Sequence, residues 1–194
     1  MQSRKPRLAP LDESEWSDEQ RELLVRGRLG EEVLNIFRTL VRHPKLLKRW
    51  QVFGNHILNK STLPPREREI VILRIGWLCR CEYEWSQHVV IGRNCGLTDE
   101  DIAAIQAGPG AESIEPFDRL LLQATDELHR DAKIADATWK QLAQRYDERQ
   151  LMDLIFTVGQ YNLVSMALNS LGVPLEEGLS GFGNTEARSE TRAP

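Results

Sequence analysis

The sequence has little of what marks several protein classes. It holds only 3 cysteines in 194 residues, Cys79, Cys81 and Cys95. An odd count, in a chain long enough to bury a sizeable core, excludes a disulfide framework and points to thiols in a reducing, cytoplasmic compartment. Basic surplus is missing: 25 Lys and Arg stand against 29 Asp and Glu, a formal net charge of -4. That argues against a nucleic-acid partner. A long apolar run is missing too. The stretch Ile70–Leu78 is broken by Arg74 and is too short to cross a bilayer, so no membrane partner is expected. Met1–Trp16 lacks the apolar segment of a secretory signal. Repeats and low-complexity blocks are absent. So are alternating runs closed by hairpin turn residues, which leaves strands without support.

What is present is helix punctuation, and the fold class it implies is all-α. Ser17-Asp18-Glu19-Gln20 fits a capping box, and Gly27 and Gly30 end the helix it opens. Helices are expected over 31–42, where His43-Pro44 stops the first, and over 44–58. Pro65 opens a buried helical run. Continued unbroken to Cys95 it would be about 46 Å long at about 1.5 Å per residue, so a reversal near Gly76–Arg80 is expected. A second helix then covers about 81–94, closed by Gly96. Thr98 caps a short helix that Gly108-Pro109-Gly110 stops. Further helices are expected at 115–130, 136–146 and 147–171, the last apolar on more than one side. The domain reading is an N-terminal extension over 1–16, one all-α domain over 17–174, and a polar, flexible tail over 175–194.

Within this frame, Cys81, Glu84 and His88 are spaced three and four apart, which puts them on one helix face. A thiol, a carboxylate and an imidazole in one row can transfer protons, attack as a nucleophile or ligate a metal. At a helix N-terminus the Cys81 thiolate would be favoured. Glu67 and Glu69 lie on the preceding helix. With a reversal Glu69 can approach His88; without one the two stand about 28 Å apart. Spacing alone also fits an ordinary Glu84–His88 surface pair beside a core cysteine.

Other residues have plainer readings. His43 and His56 are surface groups, and His129 is a cation near a helix C-terminus. Trp16, Trp50 and Trp139 serve packing or interfaces. Trp77 and Trp85 flank the row and either wall a pocket or fill the core. Tyr161 and Asn169, eight apart, either line the pocket or make buried hydrogen bonds.

The segments Leu63-Pro64-Pro65-Arg66-Glu67-Arg68-Glu69-Ile70-Val71-Ile72-Leu73-Arg74, Cys81-Glu82-Tyr83-Glu84-Trp85-Ser86-Gln87-His88 and Gly96-Leu97-Thr98-Asp99-Glu100-Asp101-Ile102 occur in that order. Together they resemble the carboxymuconolactone decarboxylase family, which includes the alkylhydroperoxidase D proteins. The resemblance covers 63–105 most strongly, and Gln150–Leu171 is similar to the C-terminal helix of longer members. It implies a single-domain helical bundle with a central helical hairpin that brings Glu69 to His88, and a homo-oligomer, trimer or hexamer.

The alkylhydroperoxidase D pattern is Glu, Cys-x-x-Cys, then His four residues after the second Cys. Glu69, Cys81 and His88 match it, but the second cysteine is Glu84 here. Paired-thiol chemistry cannot be written on that site. The decarboxylase branch is similar at Glu84 and His88. The resemblance therefore implies an enzyme (a lyase) using Glu84 and His88 for acid–base chemistry on a small organic acid or lactone. In that reading Glu69 orients or recharges His88, and Cys81 lines the pocket. Trp77, Trp85 and Tyr161 are candidate substrate contacts. A second reading is an antioxidant thiol peroxidase, with peroxiredoxin-type activity, in which Cys81 is the sole nucleophile. The third is a metal-binding or non-catalytic oligomer holding zinc or iron on Cys, Glu and His. No cofactor and no resident metal are expected on the first two readings.

Overall fold

Residues 5–25, 28–29, 32–179 and 181–182 are described in a computed structural model of the chain. The central element is α4 (Pro65–Leu78), in which every residue from Glu67 to Gly76 is buried. Around it pack α5 (Glu82–Asn94), α6 (Asp99–Ala107), α7 (Pro116–Asp131) and α9 (Glu148–Leu171). The short α8 (Asp136–Leu142) lies against α7, and α1 (Asp18–Val25), α2 (Asn35–Leu40) and α3 (Pro44–Asn59) form an N-terminal layer. Ile70, Ile72, Leu73 and Ile75 of α4 meet Leu121, Leu122 and Leu154 in the main core. Four charged residues also enter this buried helix, and each has partners. Arg74, for example, binds Asp126 through Nε at 2.6 Å and Nη2 at 2.8 Å. Its Nη1 donates to the carbonyls of Ile105 and Gln106 at the end of α6.

The chain reverses between α4 and α5 as expected. Cys81 N–H bonds the Gly76 carbonyl and Arg80 N–H bonds the Trp77 carbonyl, the paired pattern of a Schellman end. That motif needs a left-handed residue, and here it is Arg80, with φ of 49°. An arginine there costs about 1–2 kcal/mol that a glycine would avoid, and no glycine stands at this position to mark the turn in the sequence. Near the far end of α5, Gly92 lets the two helices approach. A Cβ there would stand 2.8 Å from Leu97 Cδ1 and 3.4 Å from Leu73 Cδ1.

Elsewhere the sequence-based boundaries shift. In place of a helix over 31–42, the helix covers only Asn35–Leu40. Residues Glu32–Val33 (β2) pair antiparallel with Arg28–Leu29 (β1), and Leu34 is extended, with ψ of 147°. Gly27 and Gly30, expected to end the first helix, lie outside the described residues. The helix expected over 136–146 ends at Leu142, and tight turns carry the chain to Tyr146, whose hydroxyl donates to Glu67. The tail is not free from residue 175. Glu176 accepts from Tyr83 Oη at 2.5 Å, from Asn35 N at 2.8 Å and from Gln87 Nε2, while Phe182 packs on Trp77 and Trp85. Residues 180 and 183–194 of the expected flexible tail lie outside the described residues. The longest apolar element is α9 rather than 70–78. By length and composition it could cross a membrane, yet 56% of its apolar stretch is buried inside this fold.

Candidate active site

The α4–α5 hairpin sets Glu69 against His88. His88 Nδ1 lies 2.6 Å from Glu69 Oε2, and His88 Nε2 lies 3.0 Å from Glu84 Oε1. Both ring nitrogens are thus held by carboxylates, and all three side chains are buried. The chain of contacts continues outward. Arg68 Nε donates to Glu69 Oε1 at 3.0 Å, and Arg68 Nη2 stands 2.9 Å from the same oxygen. Tyr161, from the inner face of α9, closes the site with its ring edge-on to His88 at 4.9 Å between centroids.

The electrostatics follow from this geometry. Burial works against a charged imidazole. The Glu69 carboxylate, and then its hydrogen bond and that of Glu84, outweigh the burial and push the His88 pKa up to about 9. Burial likewise opposes the Glu69 charge, but His88 and then Arg68 hold its carboxyl below the usual range. The raised His88 pKa favours the charged imidazolium beside the Glu69 carboxylate near neutral pH. Burial, with Glu84 and Glu69 nearby, pushes the Tyr161 hydroxyl well above its ordinary value, so it stays a neutral phenol.

Cys81 behaves differently from the expectation of a thiolate at a helix N-terminus. It is the N-cap residue of α5, but it is 0% exposed and packs in an apolar cluster with Ile36, Tyr83, Val164 and Leu168. Burial pushes its thiol up to about 12, against a smaller pull from the Glu84 backbone N–H. Ser165 and Cys79 stand beside it. Cys79 donates to Asn162 Oδ1 at 3.1 Å, and burial raises its pKa as well. Trp77 and Trp85 lie 5.2 Å apart between centroids, with Phe182 against both. Trp85 is a core residue, with Trp77 packed on the same core. Asn169 is exposed on α9 and donates to the Cys79 carbonyl, so it does not share the Tyr161 face. His56 is more than a surface group: its Nε2 is 3.1 Å from Asp153 Oδ1. Among the described residues no three His, Cys, Asp or Glu side chains are grouped to hold a metal ion, which counts against the metal-binding reading.

Residues 44–111 match the model of the carboxymuconolactone decarboxylase family. In solved structures the fold is that of an alkylhydroperoxidase D core, an uncharacterized peroxidase-related protein from Ralstonia eutropha JMP134. The two share 16% identity and a TM-score of 0.77, over 89% of this chain and 93% of the other. Residues 44–111 thus resemble the carboxymuconolactone decarboxylase family, and the fold as a whole is alkylhydroperoxidase D-like.

That family includes enzymes. A curated relative, the uncharacterized protein YdfG of Bacillus subtilis (strain 168), is 22% identical over 116 residues, 57% of this chain and 79% of its own length. The debrominase Bmp8 has the same fold at 15% identity, with a TM-score of 0.71 over 88% of this chain and 92% of its own. Against this carboxymuconolactone decarboxylase-like background, the sequence reading overlooked Arg68 as part of the site. It lies in the charged run Arg66-Glu67-Arg68-Glu69 at the start of α4, where only its burial beside Glu69 sets it apart.

Proposed function

We propose that this protein is an acid–base enzyme acting on a small organic acid or lactone, with His88 as the proton carrier between Glu69 and Glu84. The observation that carries this reading is the doubly bound, buried imidazole: 2.6 Å to one carboxylate and 3.0 Å to the other. In a decarboxylation the C–CO2⁻ bond breaks, its electron pair stays on a carbon conjugated to a carbonyl, and one proton must reach that carbon. The protonated His88, through Nε2 and Glu84, supplies that proton, and water restores it, so no oxidant or reductant is needed. Glu69 keeps the ring charged and oriented, and Arg68 keeps Glu69 ionised. A positioned group of this kind contributes about 10²–10⁴-fold in rate. Cys81 lines the site as a small apolar residue, and three unbridged cysteines support a reducing, cytoplasmic setting.

The competing reading, a thiol peroxidase working through Cys81, is supported by the closeness of Cys79, a thiol able to resolve a sulfenate. The debrominase relative, seen as a cysteine-to-alanine variant with 2,3,4-tribromopyrrole, adds aromatic halides to the substrates worth assaying. One experiment separates these readings. Wild type, Glu84→Gln, His88→Asn and Cys81→Ser are assayed for CO2 release from a panel of lactone and enol acids, and for hydrogen peroxide consumption. Acid–base chemistry predicts loss of about 10²-fold or more in Glu84→Gln and His88→Asn, and a mild effect in Cys81→Ser. Rapid peroxide turnover lost in Cys81→Ser, with an oxygen adduct on Cys81, overturns it.

A further inference from the structure

Beyond α9 the chain runs back over the first turns of α5. Asn35 Nδ2 donates to the carbonyls of Pro174 at 3.2 Å and Leu175 at 3.3 Å, and Glu176 accepts from Asn35 N, Tyr83 Oη and Gln87 Nε2. Past this latch Glu177 and Gly178 are exposed, and Gly178 is left-handed, with φ of 85°. Leu179 N–H closes a turn on the Glu176 carbonyl at 3.2 Å. A Cβ on Gly181 would stand 3.0 Å from Glu82 Cδ, so a larger residue there would have to push that side chain aside. Phe182 follows, between Gly181 and Gly183 in the sequence. Its ring is edge-on to Trp77 at 4.9 Å and 85°, and 6.0 Å from the ring of Trp85. The two indoles are 5.2 Å apart and stand at 55° to each other, a wedge rather than a parallel stack. With Phe182 in place Trp85 is only 2% exposed. The wedge abuts the proton relay. Trp77 and Trp85 each directly follow a residue of the tight α4–α5 contact, where a Cβ on Gly76 would stand 3.6 Å from Glu84 Cβ.

We propose that the wedge of Trp77 and Trp85 is a binding place for a flat aromatic ring, and that Phe182 is its resident stand-in, displaced when such a ring enters. The contact shows which shape the indoles accept. Edge-on pairing at 4.9 Å is the geometry aromatic rings favour, and it depends on a flat partner with a polarised edge. The construction of the segment lets that partner leave. The latch at Glu176 makes its hydrogen bonds without Phe182, so the ring can quit the wedge while the rest of the segment stays on α5. Glycines on both sides of Phe182 give the backbone the freedom to swing the ring in and out. Phe182 then competes with any incoming ring, and the apparent affinity falls by the fraction of molecules in which the wedge is open. The inference rests on the acid–base reading for one point only, that a ring bound here belongs to the molecule presented to Glu84. On that reading the substrate is a small organic acid or lactone that carries a flat ring.

The test uses the full chain and two neutral probes, since the Glu82 carboxylate stands beside the segment. Benzyl alcohol carries a flat ring, and cyclohexylmethanol is of similar size but puckered. Titration gives the Kd of each for wild type, for Phe182→Ala, and for Phe182→Ala combined with Trp77→Ala. Benzyl alcohol should bind Phe182→Ala about tenfold or more tightly than wild type, the ratio expected where Phe182 fills the wedge in about nine-tenths of the molecules. Cyclohexylmethanol should bind Phe182→Ala severalfold more weakly than benzyl alcohol, and the double variant should lose the gain. In wild type, saturating benzyl alcohol should remove the nuclear Overhauser contact between the Phe182 and Trp77 rings, a measurement that needs no variant. Equal affinity for benzyl alcohol in wild type and Phe182→Ala, no binding to Phe182→Ala, equal affinity for the two probes, or a Phe182–Trp77 contact that survives saturation overturns the proposal. Benzyl alcohol has no carboxyl group to lose and no carbon to protonate, so its binding is read independently of the CO2 assay. The ring site can fail while the acid–base chemistry stands, and the reverse.

Discussion

Glu67 and Glu69 sit two residues apart on α4, both buried, and they do different things. Glu67 binds Arg145 and accepts from Tyr146 Oη at 2.5 Å, with the Arg145 guanidinium 4.0 Å above the Phe117 ring. Its partners are a cation that does not lose its proton and a phenol whose pKa burial and Glu67 push higher still. That corner can only hold. Glu69 binds His88, whose pKa lies where a ring can give and regain a proton. Arg68 ionises the carboxylate without occupying its second oxygen. What makes a buried carboxylate part of an acid–base device is thus a titratable partner, not burial or charge.

Substitution should separate the two carboxylates most sharply. Glu69→Gln is expected to lower turnover by about 10²-fold or more in whichever assay reports wild-type activity. Glu67→Gln should leave turnover within a few-fold and cost about 1–3 kcal/mol in urea unfolding, because it weakens bonds to Arg145 and Tyr146. Equal losses of activity in the two variants would erase the distinction.

A pH series tests the same contrast. His88 titrates at about 9 in the folded chain against 6.5 for a free ring. The stabilisation from its protonation is therefore complete below about pH 6.5 and is lost as the pH rises through about 9. The melting temperature of wild type should fall by several degrees across that window, and His88→Asn should flatten the fall. Proton NMR of the His88 ring should show the same midpoint. A midpoint near 6.5 would sink the ion-pair description.

Arg68→Gln should have a smaller effect, on the acid side. Glu69 is depressed in the folded state, so its stabilisation is present above its unfolded value and lost as the pH falls through the lowered one. Without Arg68 that loss should begin at higher pH, as followed by acid unfolding. Least of all, Tyr146→Phe should cost about 0.5–1.5 kcal/mol and leave the pH profile of activity unchanged. A shifted profile would mean that the Glu67 corner communicates with His88.

Much of this was legible in the sequence, and the exceptions have physical causes. The Ser17 and Thr98 caps and the Pro65 start are local, and the helices follow them. The reversal could be inferred from excess length and from the family resemblance but not from a turn residue, because Arg80 takes the left-handed place that glycine usually marks. The helix expected over 31–42 lost its first turn to the β1–β2 pairing, a contact that spacing does not encode. Cys81 looked like an activated thiol because helix position is visible in a sequence and burial is not. Phe182 looked like tail because its partners, Trp77 and Trp85, are about a hundred residues away.

The sequence by itself determined the all-α class, the break between α4 and α5, and the row of Cys81, Glu84 and His88, because each depends on residues within one or two helical turns. Spacing left open which of two neighbouring glutamates faces His88, though the resemblance named Glu69; only the tertiary structure decided that Cys81 is sealed in an apolar cluster and that one side of α9 is exposed. Those depend on how α4, α5 and α9 approach one another. That approach sets desolvation and pairing, and these fix the charge a side chain carries.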